Sequence, residues 1–278
     1  IFFSGAMASE RLFDVPPWFD DSGTTTNTCT IDGFLAILLC AKWKDKFFPG
    51  QLMSKDPFTT ACRQFVLSKR DLRDRKRDFI NALYKPKDGG EYDLFGDEAS
   101  MILEKARGQS EIAVTTSCGD CYVQQTEMRN SFIVRRAEDE TLQEALFATI
   151  AEPSRDYCED ANCTQTKHVT VRAGDSTWMI PIDLSQGNLH PIHIDKLPPQ
   201  ISIGEVRFIL GGVTVFSDSQ PGAKKNSGHY LCIMWNDMKW LYYDGMTRPL
   251  LRYIHNLADV DRFKQNLTCK IAYYLRVD

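Results

Sequence analysis

The stretch Asn27-Thr28-Cys29-Thr30-Ile31-Asp32-Gly33-Phe34-Leu35-Ala36-Ile37-Leu38-Leu39 puts a thiol where polar chain gives way to an apolar run. Thr28 or Asn27 is suited to cap a helix running to about Trp43, with Ile31, Phe34, Leu35, Leu38 and Leu39 on a broad apolar face. A cysteine at such a start meets unpaired backbone N–H groups and the positive end of the helix dipole, which favour thiolate over thiol. Outward from this point the first third of the chain reads as helical. A second helix is predicted from Asp56-Pro57, with Phe58, Ala61, Cys62, Phe65 and Val66 turned inward. The mixed charges from Lys69 to Asp78 read as a solvated helix face, and Asp97 to Ala106 as a third helix.

From Ile112 onward the character changes. β-Branched and aromatic clusters at Ile112 to Thr116, Phe132 to Val134, His168 to Val171, Trp178 to Ile182, Val206 to Phe216, Tyr230 to Trp235, Lys239 to Tyr243 and Ile271 to Leu275 are punctuated by Gly, Asp, Asn or Pro. One helix, Thr141 to Ile150, interrupts them. Helices followed by a mostly antiparallel sheet imply an α+β fold.

The 278 residues are 43% hydrophobic, enough for a sizeable core without staples, and the net charge of −4 is mildly acidic and mixed along the chain. That balance argues against nucleic acid or an anionic membrane surface as a partner. The longest apolar run, Ile31 to Ala41, is too short to span a bilayer and carries Asp32. Ile1 to Met7 lacks the pattern of a secretion signal, so residues 1–10 read as an expression leader or the edge of an excised fragment. Nine cysteines, five of them (Cys29, Cys40, Cys62, Cys232, Cys269) single within or beside apolar segments, fit an intracellular, reducing setting better than a disulfide framework.

Two constellations carry chemistry. Cys118-Gly119-Asp120-Cys121 and Cys158-Glu159-Asp160-Ala161-Asn162-Cys163 form two close pairs, the pattern that brings four thiolates to one structural Zn²⁺. The alternatives are unligated or disulfide-paired cysteines, a redox pair, or His168 replacing one thiolate. A closed four-thiolate site leaves no open position for water, so it holds a fold together and does no catalysis. His190, His193 and Asp195 are separated by Pro191 and read better as a polar loop than as a second metal site.

The second constellation is Cys29 with His229 and Asp244. Ser227-Gly228-His229-Tyr230 opens a strand, a turn at Asn236-Asp237-Met238 returns the chain through Lys239 to Tyr243, and Asp244 arrives near His229 across the hairpin. A thiol with a histidine base, itself oriented by a carboxylate, is the set that a cysteine protease needs. Spacing alone equally allows a buried cysteine, a satisfied strand histidine and a turn aspartate.

The motifs resemble, in order, those of the ubiquitin-specific proteases, papain-fold cysteine isopeptidases. Asn27-Thr28-Cys29 is similar to that family's cysteine box, and Gly228-His229-Tyr230 with Trp240, Tyr243 and Asp244 to its histidine box. Asp97 to Leu103 resembles its acidic helix, Ser117 to Cys121 and Tyr157 to Cys163 its zinc fingers, Thr141 to Leu146 the short helix between them, and Val206 to Phe216 the strand before the histidine box. The likeness runs from about Gly23 to Leu275. It implies a single catalytic domain over residues 11–278: a helical thumb (about 11–110), zinc-ribbon fingers (about 111–180) and an antiparallel β palm (about 181–278). It further implies Cys29 as nucleophile, His229 as base, Asp244 as orienter, Zn²⁺ on Cys118, Cys121, Cys158 and Cys163, and Gly228 and Tyr230 beside the channel for a substrate tail. Ubiquitin or a ubiquitin-like protein such as SUMO would be the partner, cut after its terminal Gly-Gly, or merely bound by an inactive relative. Thr24 stands where the family commonly carries an asparagine, so the oxyanion hole would draw on Thr24, Asn27 and the Cys29 backbone N–H.

Overall fold

The first helix is laid down where the apolar run starts. In the computed structural model α1 spans Cys29–Trp43, with the Thr28 carbonyl accepting from the Ile31 and Asp32 amides at 3.0 Å. It is buried all round from Ile31 to Ala41, so it is a core helix and not the one-faced helix expected. The structure describes residues 25–26, 28–43, 55–94, 96–108, 112–118, 120–121, 123–129, 131–134, 141–151, 158, 163, 167–185, 191–217, 228–236, 239–245, 251–255 and 267–277. No helix among them is long and apolar enough to cross a membrane.

Helix α2, Pro57–Leu67, starts as its sequence dictates: Pro57 occupies the first turn and the Asp56 carboxylate accepts from the Thr59 amide at 2.9 Å. Its predicted apolar residues all turn inward. Helix α3, Leu72–Leu83, is capped by Asp71, and Arg70 bridges Asp74 and Asp78 at the surface as a solvated face should. The reading of the run as wholly solvated is corrected in one respect, because Arg75 and Lys76 are buried. Arg75 donates to the Phe65 carbonyl at 2.9 Å, serving the open end of α2. Lys76 shares its inward face with Phe79 and Ile80, three and four residues on, so helical geometry carries the cation into the core.

The helix predicted over 97–106 is irregular. A π-helical turn, Ala99–Leu103, closes with the Glu104 amide on the Ala99 carbonyl, and a 3₁₀ turn, Lys105–Gly108, follows. Glu98, at its head, is buried and accepts from Thr214 Oγ1 at 2.5 Å and from the Tyr273 hydroxyl at 2.9 Å.

Thirteen strands are found among the described residues: β1 Thr25–Thr26, β2 Tyr92–Asp93, β3 Ile112–Cys118, β4 Val123–Arg129, β5 Phe132–Ile133, β6 His168–Ala173, β7 Met179–Asp183, β8 Gln200–Ile203, β9 Val206–Ser217, β10 His229–Asn236, β11 Lys239–Tyr243, β12 Leu251–Ile254 and β13 Leu267–Arg276. Every predicted β cluster is thus a strand. The main sheet runs β12-β11-β10-β9-β13-β7-β5, with β8 on the other reach of β9. All its pairings are antiparallel except β5 with β7. Strand alternation sends Cys232 and Met234 of β10 to one core, with α1, α2 and α3, and Leu231 and Ile233 to a second. The second is covered in part by α4, Leu142–Ala151, whose start is a reciprocal capping box between Thr141 and Glu144.

Residues without side chains let α1 lie close on this sheet. A Cβ at Gly33 of α1 would sit 3.4 Å from Cys232 Cβ and from Thr214 Cγ2, ordinary contact with no room beyond it. At Gly212 of β9 it would come within 2.8 Å of Ile37 Cγ1 and 2.9 Å of the Ile233 carbonyl oxygen, which belongs to the sheet backbone and cannot step aside. Gly212→Ala is therefore expected to destabilise the fold by about 1–3 kcal/mol, read as a lowered urea midpoint with unchanged slope.

Candidate active site and metal centre

Cys29 is the first residue of α1 and His229 the first residue of β10, and the close packing of helix on sheet brings the two together. Cys29 lies near enough to the His229 ring and to the backbone of Tyr230 for both to favour its thiolate. Asp244 follows directly on β11, the partner of β10 in the hairpin, and is fully buried. Its Oδ1 lies 2.7 Å from His229 Nε2, and the Tyr242 hydroxyl donates to Oδ2 at 3.2 Å. With Nε2 engaged by the carboxylate, Nδ1 is the nitrogen left to address the sulfur. The three residues that spacing only suggested form one line, Asp244 to His229 to Cys29.

The electrostatics follow from that line. Burial alone pushes the Cys29 thiol up, but the His229 and Tyr230 hydrogen bonds and the His229 charge outweigh it, and the net direction is down. Burial pushes His229 toward the neutral form, yet its hydrogen bonds to Asp244 and Cys29 and their charges raise it to about 9. A thiolate beside an imidazolium is the state both shifts favour.

A second group lies under the same helical turn. Asp32 is held by Lys76 of α3 at 2.6 Å, and both side chains are out of solvent, 1% and 0% exposed. Lys76 Nζ also donates to Thr28 Oγ1 at 2.9 Å, and that hydroxyl donates to Asp32 Oδ2 at 2.9 Å. Burial raises Asp32 to about 6 and lowers Lys76, each shift opposed by the partner's charge. Sequence reasoning missed this cluster. Its signal was Asp32 itself, a lone carboxylate inside an apolar run that demands a buried cation.

Of the residues expected around the nucleophile, Thr24 and Asn27 lie outside the described residues. Gly228 is occupied on its open side: a Cβ there would fall 1.8 Å from Phe216 Cζ, and the Phe216 ring meets Tyr230 edge-on at 5.0 Å between centroids.

The sulfurs of Cys118, Cys121, Cys158 and Cys163 all lie within 4.8 Å of one another and can hold a metal ion. Cys118 to Cys163 measures 3.5 Å and Cys121 to Cys158 3.6 Å. A tetrahedron of Zn–S bonds of about 2.3 Å has edges of about 3.8 Å, so the donor set fits zinc in number, type and spacing. His168 opens β6 opposite Ser117 and is exposed, outside the cluster. Asp195, in the 3₁₀ turn Pro191–Lys196, meets only a surface contact of 3.6 Å to Lys196, His193's side chain and His190 lie outside the described residues, and no metal cluster forms there among the residues described.

No family model matches the sequence, and no curated protein does either. Solved structures do. A chain of the SAGA Ubp8/Sgf11/Sus1/Sgf73 DUB module superposes with a TM-score of 0.50 at 10% identity, covering 97% of this chain and 69% of that one. A chain of the same module bound to ubiquitin aldehyde gives 0.49 at 12% identity, covering 97% and 71%. The likeness is one of fold.

The shifts predict how Cys29 reacts. Its alkylation by iodoacetamide is expected to reach half-maximal rate at a pH below that of an ordinary cysteine, about 8.5, and His229→Ala should move that point upward. Mass-spectrometric counting of carbamidomethylated Cys29 against pH reads both.

Proposed function

We propose that the protein is a cysteine isopeptidase that releases ubiquitin or a ubiquitin-like modifier from lysine. The observation that carries this reading is the buried Asp244–His229 pair at 2.7 Å, set against a cysteine at a helix start, in a chain folded like a chain of a deubiquitinase module. The residue-by-residue resemblance to ubiquitin-specific proteases supports the same assignment. In it, residues 11–110 act as thumb, 111–180 as fingers and 181–278 as palm.

The chemistry follows from the groups in place. The Cys29 thiolate attacks the carbonyl carbon of the modifier's terminal glycine, forming the C–S bond. The N–H groups at the start of α1, with Thr24 and Asn27 as further donors, meet the oxyanion. His229, protonated, gives its proton to the lysine nitrogen as the C–N bond breaks. It then takes a proton from water as the water attacks the thioester carbon; the C–S bond breaks, releasing the carboxylate and restoring the Cys29 thiolate beside protonated His229. Asp244 keeps the ring oriented and stabilises its charge, and the Tyr242 hydroxyl holds the second carboxylate oxygen. A narrow Gly-Gly tail would approach past Gly228 and Tyr230. Zn²⁺ on the four cysteines would contribute structure alone, because its coordination sphere is closed.

Electrophilic probes built on ubiquitin, SUMO and other modifiers test the assignment. An adduct on Cys29 with one of them, lost in Cys29→Ala, is expected; no Cys29-dependent adduct with any probe would falsify it. Hydrolysis by the wild type should fall on the alkaline side near pH 9, where His229 loses the proton the leaving amine needs. Asp244→Asn removes a group that raises His229, so its alkaline limb should shift to lower pH. For the metal, about one zinc per chain is expected, and Cys118→Ser should lower both the zinc content and the melting temperature. A folded, zinc-free wild type would overturn that role.

A further inference from the structure

The buried cluster beneath Cys29 has no part in the proton path just described, yet it is built with care. Lys76 comes from a helix whose other charges mostly face water, and it crosses into the core to reach α1. There it touches both residues that define the first turn of that helix, Thr28 before the nucleophile and Asp32 three residues after it. Residues three apart on a helix share a face, so the Asp32 carboxylate lies on the same side as the sulfur. Unmasked, that carboxylate would oppose the thiolate. Burying a lone carboxylate costs several kcal/mol, and a buried ion pair rarely repays in stability what its desolvation costs. The pair therefore needs a reason other than stability.

We propose that Lys76 is a positioning residue for the Cys29 nucleophile, clamping the first turn of α1 through Thr28 and Asp32 and masking the Asp32 charge beneath the sulfur. The proposal rests on the reading of Cys29 as a nucleophile. The charged or polar groups that face the sulfur are His229 and the Tyr230 backbone from β10 and Asp32 from α1, with Lys76 of α3 behind Asp32 and Asp244 behind His229. Two of these are the pair. Neutralising Asp32 leaves the Lys76 cation to favour the thiolate, while removing Lys76 leaves a buried carboxyl that holds a proton more readily and opposes the thiolate only where it ionises, so the two single changes differ in direction and in size. Removing both restores neutrality.

The test is the pH profile of Cys29 carbamidomethylation by iodoacetamide in the full chain, measured for wild type, Asp32→Asn, Lys76→Met and the double variant. Asp32→Asn leaves the Lys76 cation to the thiolate and should lower the half-maximal pH by about one unit, while Lys76→Met should raise it by less, because Asp32 without its cation holds a proton over part of the range. The double variant, a neutral pair of similar volume and the one best placed to fold, should return close to the wild-type value while retaining a wild-type melting temperature within a few degrees. If Lys76→Met alone does not fold, the contrast between Asp32→Asn and the double variant still decides. An Asp32→Asn profile that overlays wild type, or single variants that move the same way, would overturn the proposal and assign the pair to structure alone. The readout needs no modifier. Failure of every modifier probe with opposed alkylation shifts would therefore sink the isopeptidase reading and spare this one; the reverse outcome would do the opposite.

Discussion

The site depends on how near α1 lies to the sheet. A helix packed on a sheet through ordinary side chains stands about 10 Å off, and a cysteine at its start would be out of reach of a histidine on the strand below. Here Gly33 of α1 lies over Cys232 and Thr214, while Gly211 and Gly212 of β9 take the side chain of Ile37. The two ends of the contact fix a position and a tilt. Cys29, one turn before Gly33, then falls beside His229 at the head of β10, and Asp244 reaches His229 through the hairpin that β10 makes with β11. Packing in the core thus sets how near Cys29 lies to His229.

Charge is distributed along the same axis. His229 stands between two anions, Asp244 and the Cys29 thiolate, and its raised affinity for a proton reports both. Below the sulfur lies a third anion, Asp32, with Lys76 as its counterion. Each anion has a cation beside it, His229 for Asp244 and Cys29 and Lys76 for Asp32, which offsets the repulsion between Asp32 and the sulfur and lets five ionisable groups share a dry interior. Glu98 sits in this core on a different footing. Two hydroxyls donate to it, and burial outweighs them and the charge of Lys270 and raises it to about 8, so near neutral pH it is largely a protonated acid.

What the sequence disclosed divides along physical lines. Helix starts at Cys29, Pro57 and Thr141 and the strand clusters were legible because caps and periodicity are local, encoded within a few residues of where they act. Cys29, His229 and Asp244 were legible as residue types in a workable order, and the four cysteines by their paired spacing. The role of Lys76 was not, because a lysine in a run of alternating charge differs from its neighbours only by the direction it faces, which the core and not the run decides. The irregular turn at Ala99–Leu103 was hidden for a related reason: acidic residues at its start suit an ordinary helix, and Glu98 is drawn inward by Thr214 and Tyr273, far away in sequence. Long-range partners leave no mark on local pattern.

The separate sheet β4-β3-β6 poses the opposite problem, too little core where the rest of the chain has ample. Its outer strand β6 alternates exposed and half-buried residues, and β4 exposes Gln124 to Met128 without a break. Three strands with one thin apolar face are at the margin of what holds together in water. The cross-strand pair Thr115 and Thr126, with hydroxyls 3.1 Å apart, adds only a fraction of a kcal/mol, about 0.2–1. Four thiols drawn to within 4.8 Å at the tip of β3 make matters worse as they stand, since each that ionises repels the others. A divalent cation at their centre reverses the sign of that term, turning mutual repulsion into four bonds, and contributes on the order of 10 kcal/mol where apolar burial contributes little. The same four cysteines thus strain the sheet by themselves and would hold it with a metal bound, which would make folding and metal binding a single step in this region.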